Sequence, residues 1–310
     1  MISSNLAYVA LVVTDVSATA TVLSRDFGLP RTDCATGPDS RTAPVFAVGA
    51  SAIALFAGDD PFLGGEARPG VHHIAMEVPD LDEAVRRAAG AGVPADEPAP
   101  CAGLQGTRRW RLAPAATCGV RTYLSEPLSL GRANHGWIER IDHLGVASRD
   151  NRAAIDTFVG RLGCVLESTQ TDLEVQLAVE SFTSDKYGVV YHTRPPQPVG
   201  GLRVAFVTVG DYELEFLEEF DPSRDAPVSH AGPGNTRKDQ GAIARFIASR
   251  GVGLHHIALK VTDINAVLAD LDRAGHILVD KVGRPGSRRA LIGFLHPRTL
   301  GGVLMHLVRR

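Results

Sequence analysis

Apolar positions along the chain fall into short runs, each followed by a stretch with helical spacing and then by further runs. Ala7–Val12, Gly70–Val78, Asp142–Ala147 and Gly253–Val261 are rich in Val, Ile and Ala, which suits strands. Behind them, Leu81, Ala84, Val85 and Ala88 recur at i, i+3, i+4 and i+7, and so do Ile155, Phe158, Val159 and Leu162. Ile264, Val267, Leu268 and Leu271 repeat the spacing, so each set predicts one apolar helix face. Asp80, with Glu83 three residues on, and Asp263 are natural N-caps, and Gly275 is a natural stop. Runs such as Arg203–Thr208 and Tyr212–Leu217 follow as strands. The predicted unit is a strand, a helix and about three strands, which buries its sheet only by pairing with another unit.

The unit repeats. Gly70-Val71-His72-His73-Ile74-Ala75-Met76-Glu77-Val78 aligns with Gly253-Leu254-His255-His256-Ile257-Ala258-Leu259-Lys260-Val261, and the helices behind them align as well. Ala7–Val12 aligns with Asp142–Ala147, and Val48–Phe56 with Val209–Leu217. The chain therefore reads as four modules, with the first two resembling the last two. The expected class is α+β: four βαβββ modules in two paired domains, residues 1–136 and 137–310. Each domain is expected to be a cupped mixed or antiparallel sheet with helices outside.

Composition narrows the function. Residues are 44% hydrophobic and 22% charged, with a net charge of −3 and a pI near 6.4. That is a globular chain without the basic excess of a nucleic-acid binder. No apolar run approaches the ~20 residues that span a bilayer, and the first residues lack the pattern of a signal peptide. The four cysteines show no CxxC spacing and read as thiols in a reducing compartment. The expected location is cytoplasmic.

Reading the modules in register exposes a constellation. The first strands offer Tyr8, His73, His143 and His256, and the last strands offer Ala54, Tyr123, Glu215 and His306. The separations are 46, 50, 72 and 50 residues, so the third module carries an insertion. His143, Glu215, His256 and His306 form a set suited to a divalent Fe, Co, Ni or Zn ion with positions left open for substrate. The equivalent set in residues 1–136 keeps one imidazole and is expected to serve as scaffold or wall. Taken singly, each strand histidine also suits a core, and Glu213 and Glu215 also suit one solvated strand face. By strand alternation, His72 and His255 point to the opposite face and read as structural. The insertion, around Phe182–Gly201 with Tyr187, Tyr191, His192 and Arg194, reads as a lid. Asp221–Gln240, rich in Pro, Gly and charge, reads as a connector. Arg288 and Arg289 suit either a clamp for a carboxylate or phosphate or a solvated basic turn.

These motifs resemble the vicinal oxygen chelate superfamily, which includes glyoxalase I, methylmalonyl-CoA epimerase and extradiol and 2-oxo-acid dioxygenases. Asp142–Ala147, Gly241–Ile247, Gly253–Ala258, Phe294-Leu295-His296-Pro297 and Gly301–Leu304 are similar to methylmalonyl-CoA epimerase. The resemblance implies metal ligands at His143, Glu215 and His256, with His306 where the family usually has glutamate. It also implies a substrate-facing loop at Arg288 and Arg289, before a strand that ends near His296, while Tyr191 belongs to the lid expected from the insertion. The carboxylate that epimerases place just before the strand near Gly201 is replaced here by Gln197-Pro198-Val199-Gly200. Glu213 and His306 are the remaining candidates to carry a proton. The expected function is redox-neutral isomerase, epimerase or lyase chemistry on a small carbonyl or acyl substrate through a metal-stabilised enolate. The alternatives are a non-haem iron dioxygenase and a non-catalytic small-molecule binder. The resemblance makes a homodimer the expected assembly.

Overall fold

A computed structural model describes residues 2–3, 5–37, 40–130, 136–176, 179–193, 195–222 and 240–310. Two eight-stranded sheets carry the two halves, each built from two βαβββ modules in an α+β fold. In the first half, Asn5–Val12 pairs antiparallel with Gly70–Glu77 at the centre of the sheet. In the second half, Ile138–Ser148 pairs with Gly253–Val261 in the same way. Within every module the first and last strands run parallel.

The register of that parallel pairing is identical four times. Ala54 lies opposite Ala10, Tyr123 opposite Ala75, Glu215 opposite Gly145 and His306 opposite Ala258. In each case the last-strand position faces the residue two beyond Tyr8, His73, His143 or His256. The alignment read from the sequence is thus a physical register.

Helices begin where aspartates cap them. Asp15, Asp80, Asp150 and Asp263 accept hydrogen bonds from backbone N–H groups of the first turns of Val16–Arg25, Leu81–Gly90, Asn151–Ile155 and Ile264–Arg273. Each cap stabilises its helix by about 1 kcal/mol. The third helix widens into a π-helical stretch over Asp156–Arg161, which still buries Phe158. Ile264, Val267, Leu268 and Leu271 are at most 3% exposed. Burial of each such side chain contributes roughly 1.5–3 kcal/mol before the entropy of ordering is set against it. One apolar cluster contains residues of both halves, among them Leu23, Ala84, Phe158 and Leu268.

The insertion in the third module takes an extended form. Val165–Gln176 pairs antiparallel with Gln197–Val209 along its whole length, and the chain between them forms the hairpin Val179–Ser184/Gly188–Thr193. Among the described side chains of residues 179–193, none lines the cavity of the second half. Arg194, and residues 223–239 of the expected connector, lie outside the described residues. Among the described residues, helix Gln240–Arg250 has no counterpart in the first half. Its Ile243, Phe246 and Ile247 pack on Leu202, Val204, Phe206 and Leu217, closing one side of the cup.

Candidate metal centre

His143, Glu215, His256 and His306 are all buried and meet on the concave face of the second sheet. Nitrogens of the three imidazoles lie within 4.8 Å of one another. Nε2 of His306 faces Nε2 of His143 at 3.0 Å. Glu215 Oε2 lies 3.2 Å from His143 Nε2 and 3.5 Å from His256 Nε2. Three ring nitrogens are close enough to share one ion, and the Glu215 carboxylate stands beside two of them, an arrangement suited to a divalent cation.

Backbone geometry makes the convergence possible. A β-bulge interrupts the register between Leu254 and His256, so His255 has no partner of its own on the neighbouring strand. Strand alternation fails there, and the expectation that His255 points away is corrected. Its Nδ1 lies 3.0 Å from Nδ1 of His256, its ring stacks edge-on against Phe246, and it lines the cavity. The His256 ring rests directly on Gly145, where an added Cβ would lie 2.0 Å from the ring carbon Cε1. Only glycine leaves room for the ring.

The electrostatics tune the set further. Asp142, fully buried, lies 2.9 Å from His143 Nδ1, which fixes Nε2 as the free nitrogen. Asp142 is held in turn by Arg310 at 2.5 Å and Arg140 at 3.3 Å. Burial works against a charged His143, but the carboxylates of Glu215 and Asp142 outweigh it and lift its pKa to about 9. Burial also opposes ionisation of Glu215, but His143 and His256 hold it well below the usual carboxylate range. Burial, with His256 and His143 adding to it, keeps His306 well below the usual imidazole value and so neutral.

The other expected site residues fall elsewhere. Glu213 forms a bidentate pair with Arg288, at 2.9 and 2.5 Å, and also meets Arg310 at 3.2 Å. Burial raises its pKa, but Arg288 and Arg310 more than reverse this and keep it ionised. Arg288 has a left-handed backbone, φ +54°, and lies 3.5 Å above the Phe206 ring. Its guanidinium is engaged by Glu213 and Glu167. Arg289 is exposed, and Nδ1 of His296 accepts from Arg298 N at the start of a 3₁₀ turn. Tyr191 stands on the hairpin, 70% exposed. None of these five lines the cavity. The cavity, about 210 Å³, is walled by Phe206, Ile243, Ile292 and Phe294, with Asp172, Arg284 and Arg310 among its polar lining. Asp142, Asp172 and Arg310 were not singled out from the sequence, because only the folded sheet brings them to the site.

The first half occupies the equivalent place with its own cation. The Arg109 guanidinium lies 3.5 Å from the Phe62 ring centre and 4.3 Å from that of Tyr123. It donates to Tyr8 Oη, Phe62 O and Ala102 O, and its Nη1 lies 3.1 Å from His73 Nε2. Tyr8, His73 and Tyr123, at ligand-equivalent positions, thus surround a guanidinium.

Known proteins agree with this architecture. Human mitochondrial methylmalonyl-CoA epimerase is 30% identical over 149 residues, which is 48% of this chain and 73% of that protein. A mutant 4-hydroxymandelate synthase from Streptomyces coelicolor shares the fold over 100% of this chain and 93% of its own, with a TM-score of 0.62 at 18% identity. The Mn(II)-bound glyoxalase from Novosphingobium aromaticivorans does so over 99% of this chain and 82% of its own, with a TM-score of 0.60 at 14% identity. The family model of the Glyoxalase/Bleomycin resistance protein/Dioxygenase superfamily matches residues 8–108 and 142–294, and the chain belongs to that superfamily.

Proposed function

We propose that residues 137–310 form a divalent-metal enzyme acting on a small carbonyl or acyl substrate by redox-neutral enolate chemistry, as an isomerase, epimerase or lyase. The observation that carries the reading is the convergence of His143, His256, His306 and Glu215 on the wall of one cavity. These residues would hold Fe, Co, Ni or Zn. When bound, such an ion supplies Lewis acidity, withdrawing electrons from a chelated carbonyl oxygen so that an adjacent C–H becomes acidic. The chain supplies the rest. Asp142 orients His143, Gly145 seats His256, and Phe206 and Phe294 give the substrate an apolar slot. Four protein donors favour this chemistry, since they leave few positions for a further reactant.

The test is metal content by inductively coupled plasma mass spectrometry on anaerobically purified protein and on His306→Ala. About one ion per chain, sharply reduced in the variant, is the expected result. Absence of metal after reconstitution would overturn the enzyme reading in favour of small-molecule binding. Oxygen uptake by the iron-loaded protein would replace it with the dioxygenase reading.

A further inference from the structure

We propose that Asp172 is the catalytic proton carrier of this site. The assignment rests on the enolate chemistry proposed above and names the group that moves the proton. Such a reaction needs a base beside the chelated substrate, and the metal ligands are unsuited because their lone pairs are engaged. Among the described residues lining the cavity, the carboxylates are Glu215, a proposed ligand, and Asp172. Glu213 carries a carboxylate on the same strand as Glu215, but it does not line the cavity.

The sheet places Asp172 on the correct face. Asp172 is paired directly with Leu202, and Phe206 directly with Glu215. Leu202, Val204 and Phe206 alternate along one strand and all line the cavity, so Asp172 and Glu215 belong to the same concave face. Asp172 is 3% exposed. Gln170 is one of its partners, and the Gln170 Oε1 accepts from the backbone N of Arg288 at 3.1 Å. The Gln170 amide NH₂ is thereby turned to donate to Asp172 Oδ1. A carboxylate that accepts from an amide is stabilised in its ionised form, the form a base requires.

In the assigned step, a carboxylate oxygen of Asp172 takes a proton from the carbon next to the substrate carbonyl. The C–H electron pair becomes the carbon–carbon π bond, and the carbonyl π pair moves onto oxygen. Return of a proton to carbon restores the carbonyl and the Asp172 carboxylate. Atoms and charge balance without a co-reactant.

Solvent deuterium wash-in tests this, followed by proton NMR with 2-oxobutanoate and S-propanoyl-N-acetylcysteamine as probes. Cobalt-loaded wild type, Asp172→Asn and Asp172→Glu are compared. Exchange is expected to fall about 100-fold or more in Asp172→Asn, the usual contribution of a general base. Asp172→Glu is expected to recover at least tenfold of that loss. Cobalt stoichiometry, the cobalt absorption spectrum and the Kd for acetohydroxamate are expected to stay within twofold of wild type in both variants. The ascending limb of the pH–rate profile is expected to vanish in Asp172→Asn. Wild-type exchange rates in Asp172→Asn would overturn the assignment and leave the enolate reading standing. Loss of cobalt from both variants would also overturn it, making Asp172 part of the site's structure. No exchange by the cobalt-loaded wild type would overturn the enolate reading and the assignment together.

Discussion

Replacing Gly145 by alanine would put a methyl group where the His256 ring now lies. The added Cβ would stand 2.0 Å from Cε1, 2.3 Å from Nδ1 and 2.5 Å from Nε2 of that ring. Ordinary van der Waals contact begins near 3.4 Å, so the ring must withdraw by about 1.4 Å. A metal tolerates only about 0.2 Å of error in a ligand distance, so the withdrawn imidazole ceases to be a donor. Losing one donor of four should weaken metal binding at least 100-fold, or about 2.7 kcal/mol. The fold itself should survive. Gly145 does not have a left-handed backbone, and alanine in a strand costs less entropy to order than glycine. Ala10 occupies the equivalent place in the first half, opposite His73, in a sheet that forms normally. The assay is competition between the protein and a chromophoric chelator for cobalt or zinc, alongside thermal melting of the apo-protein. A Gly145→Ala variant with a metal Kd within threefold of wild type would refute the reasoning, because the ring contact would then have no bearing on coordination.

Other perturbations follow from the same geometry. Asp142→Asn removes the carboxylate that orients His143 and should lower metal affinity 10- to 100-fold by isothermal titration. His143 has a folded-state pKa of about 9 against an ordinary 6.5, so its stabilisation of the apo-protein is complete below pH 6.5 and is lost as pH rises through 9. Urea denaturation should show a decline of up to about 3 kcal/mol across that window, and metal saturation should abolish it. Arg109→Ala leaves Phe62 O and Ala102 O without their donor and opens space between two rings. It should destabilise the protein by about 3–5 kcal/mol in denaturant titrations without changing its metal content. Tyr191→Ser, on the exposed hairpin, should leave metal affinity and melting temperature unchanged.

Periodicity and repeat register made much of the fold legible. Helix faces such as Ile264, Val267, Leu268 and Leu271 obey local spacing, and aspartate caps act within three residues, so both are written in short stretches of chain. The four positions that gather on the cavity wall were found because duplication turns a long-range relation into an alignment. His255 shows where local reasoning stops. A single extra residue in the strand breaks the alternation, and no residue type announces the bulge. Arg288 shows a second limit. Two adjacent arginines suit either a clamp or a solvated turn, but Arg288 is engaged by Glu213, 75 residues earlier in the chain, and by Glu167. The ribbon of the third module was legible as extra length and not as strands, because its polar and apolar residues lack a buried side to define their period.

The two halves together suggest what the duplicated frame requires. Both cups gather polar side chains from four strands onto one concave face, and both must find a positive charge or lose the hydrogen bonds of that face. In the first half the cation is covalent to the chain. Arg109 reaches in between Phe62 and Tyr123 and meets the ligand-equivalent residues Tyr8 and His73. In the second half, Ile292 aligns with Arg109 and brings no charge, while Arg284 and Arg310 line the cavity and are engaged by Asp280 and Asp142. Without a metal, His143 itself becomes the cation by taking a proton between Glu215 and Asp142. A divalent ion would displace that proton and serve the same carboxylates. In the proposed site, the substitution of Ile292 for arginine therefore matters as much as His143, Glu215, His256 and His306. Grafting arginine there, as Ile292→Arg, should fill the second cup as Arg109 fills the first. Equilibrium dialysis should find metal binding lost while the protein remains folded. If Ile292→Arg still binds metal with wild-type affinity, the two cups do not answer the same electrostatic need.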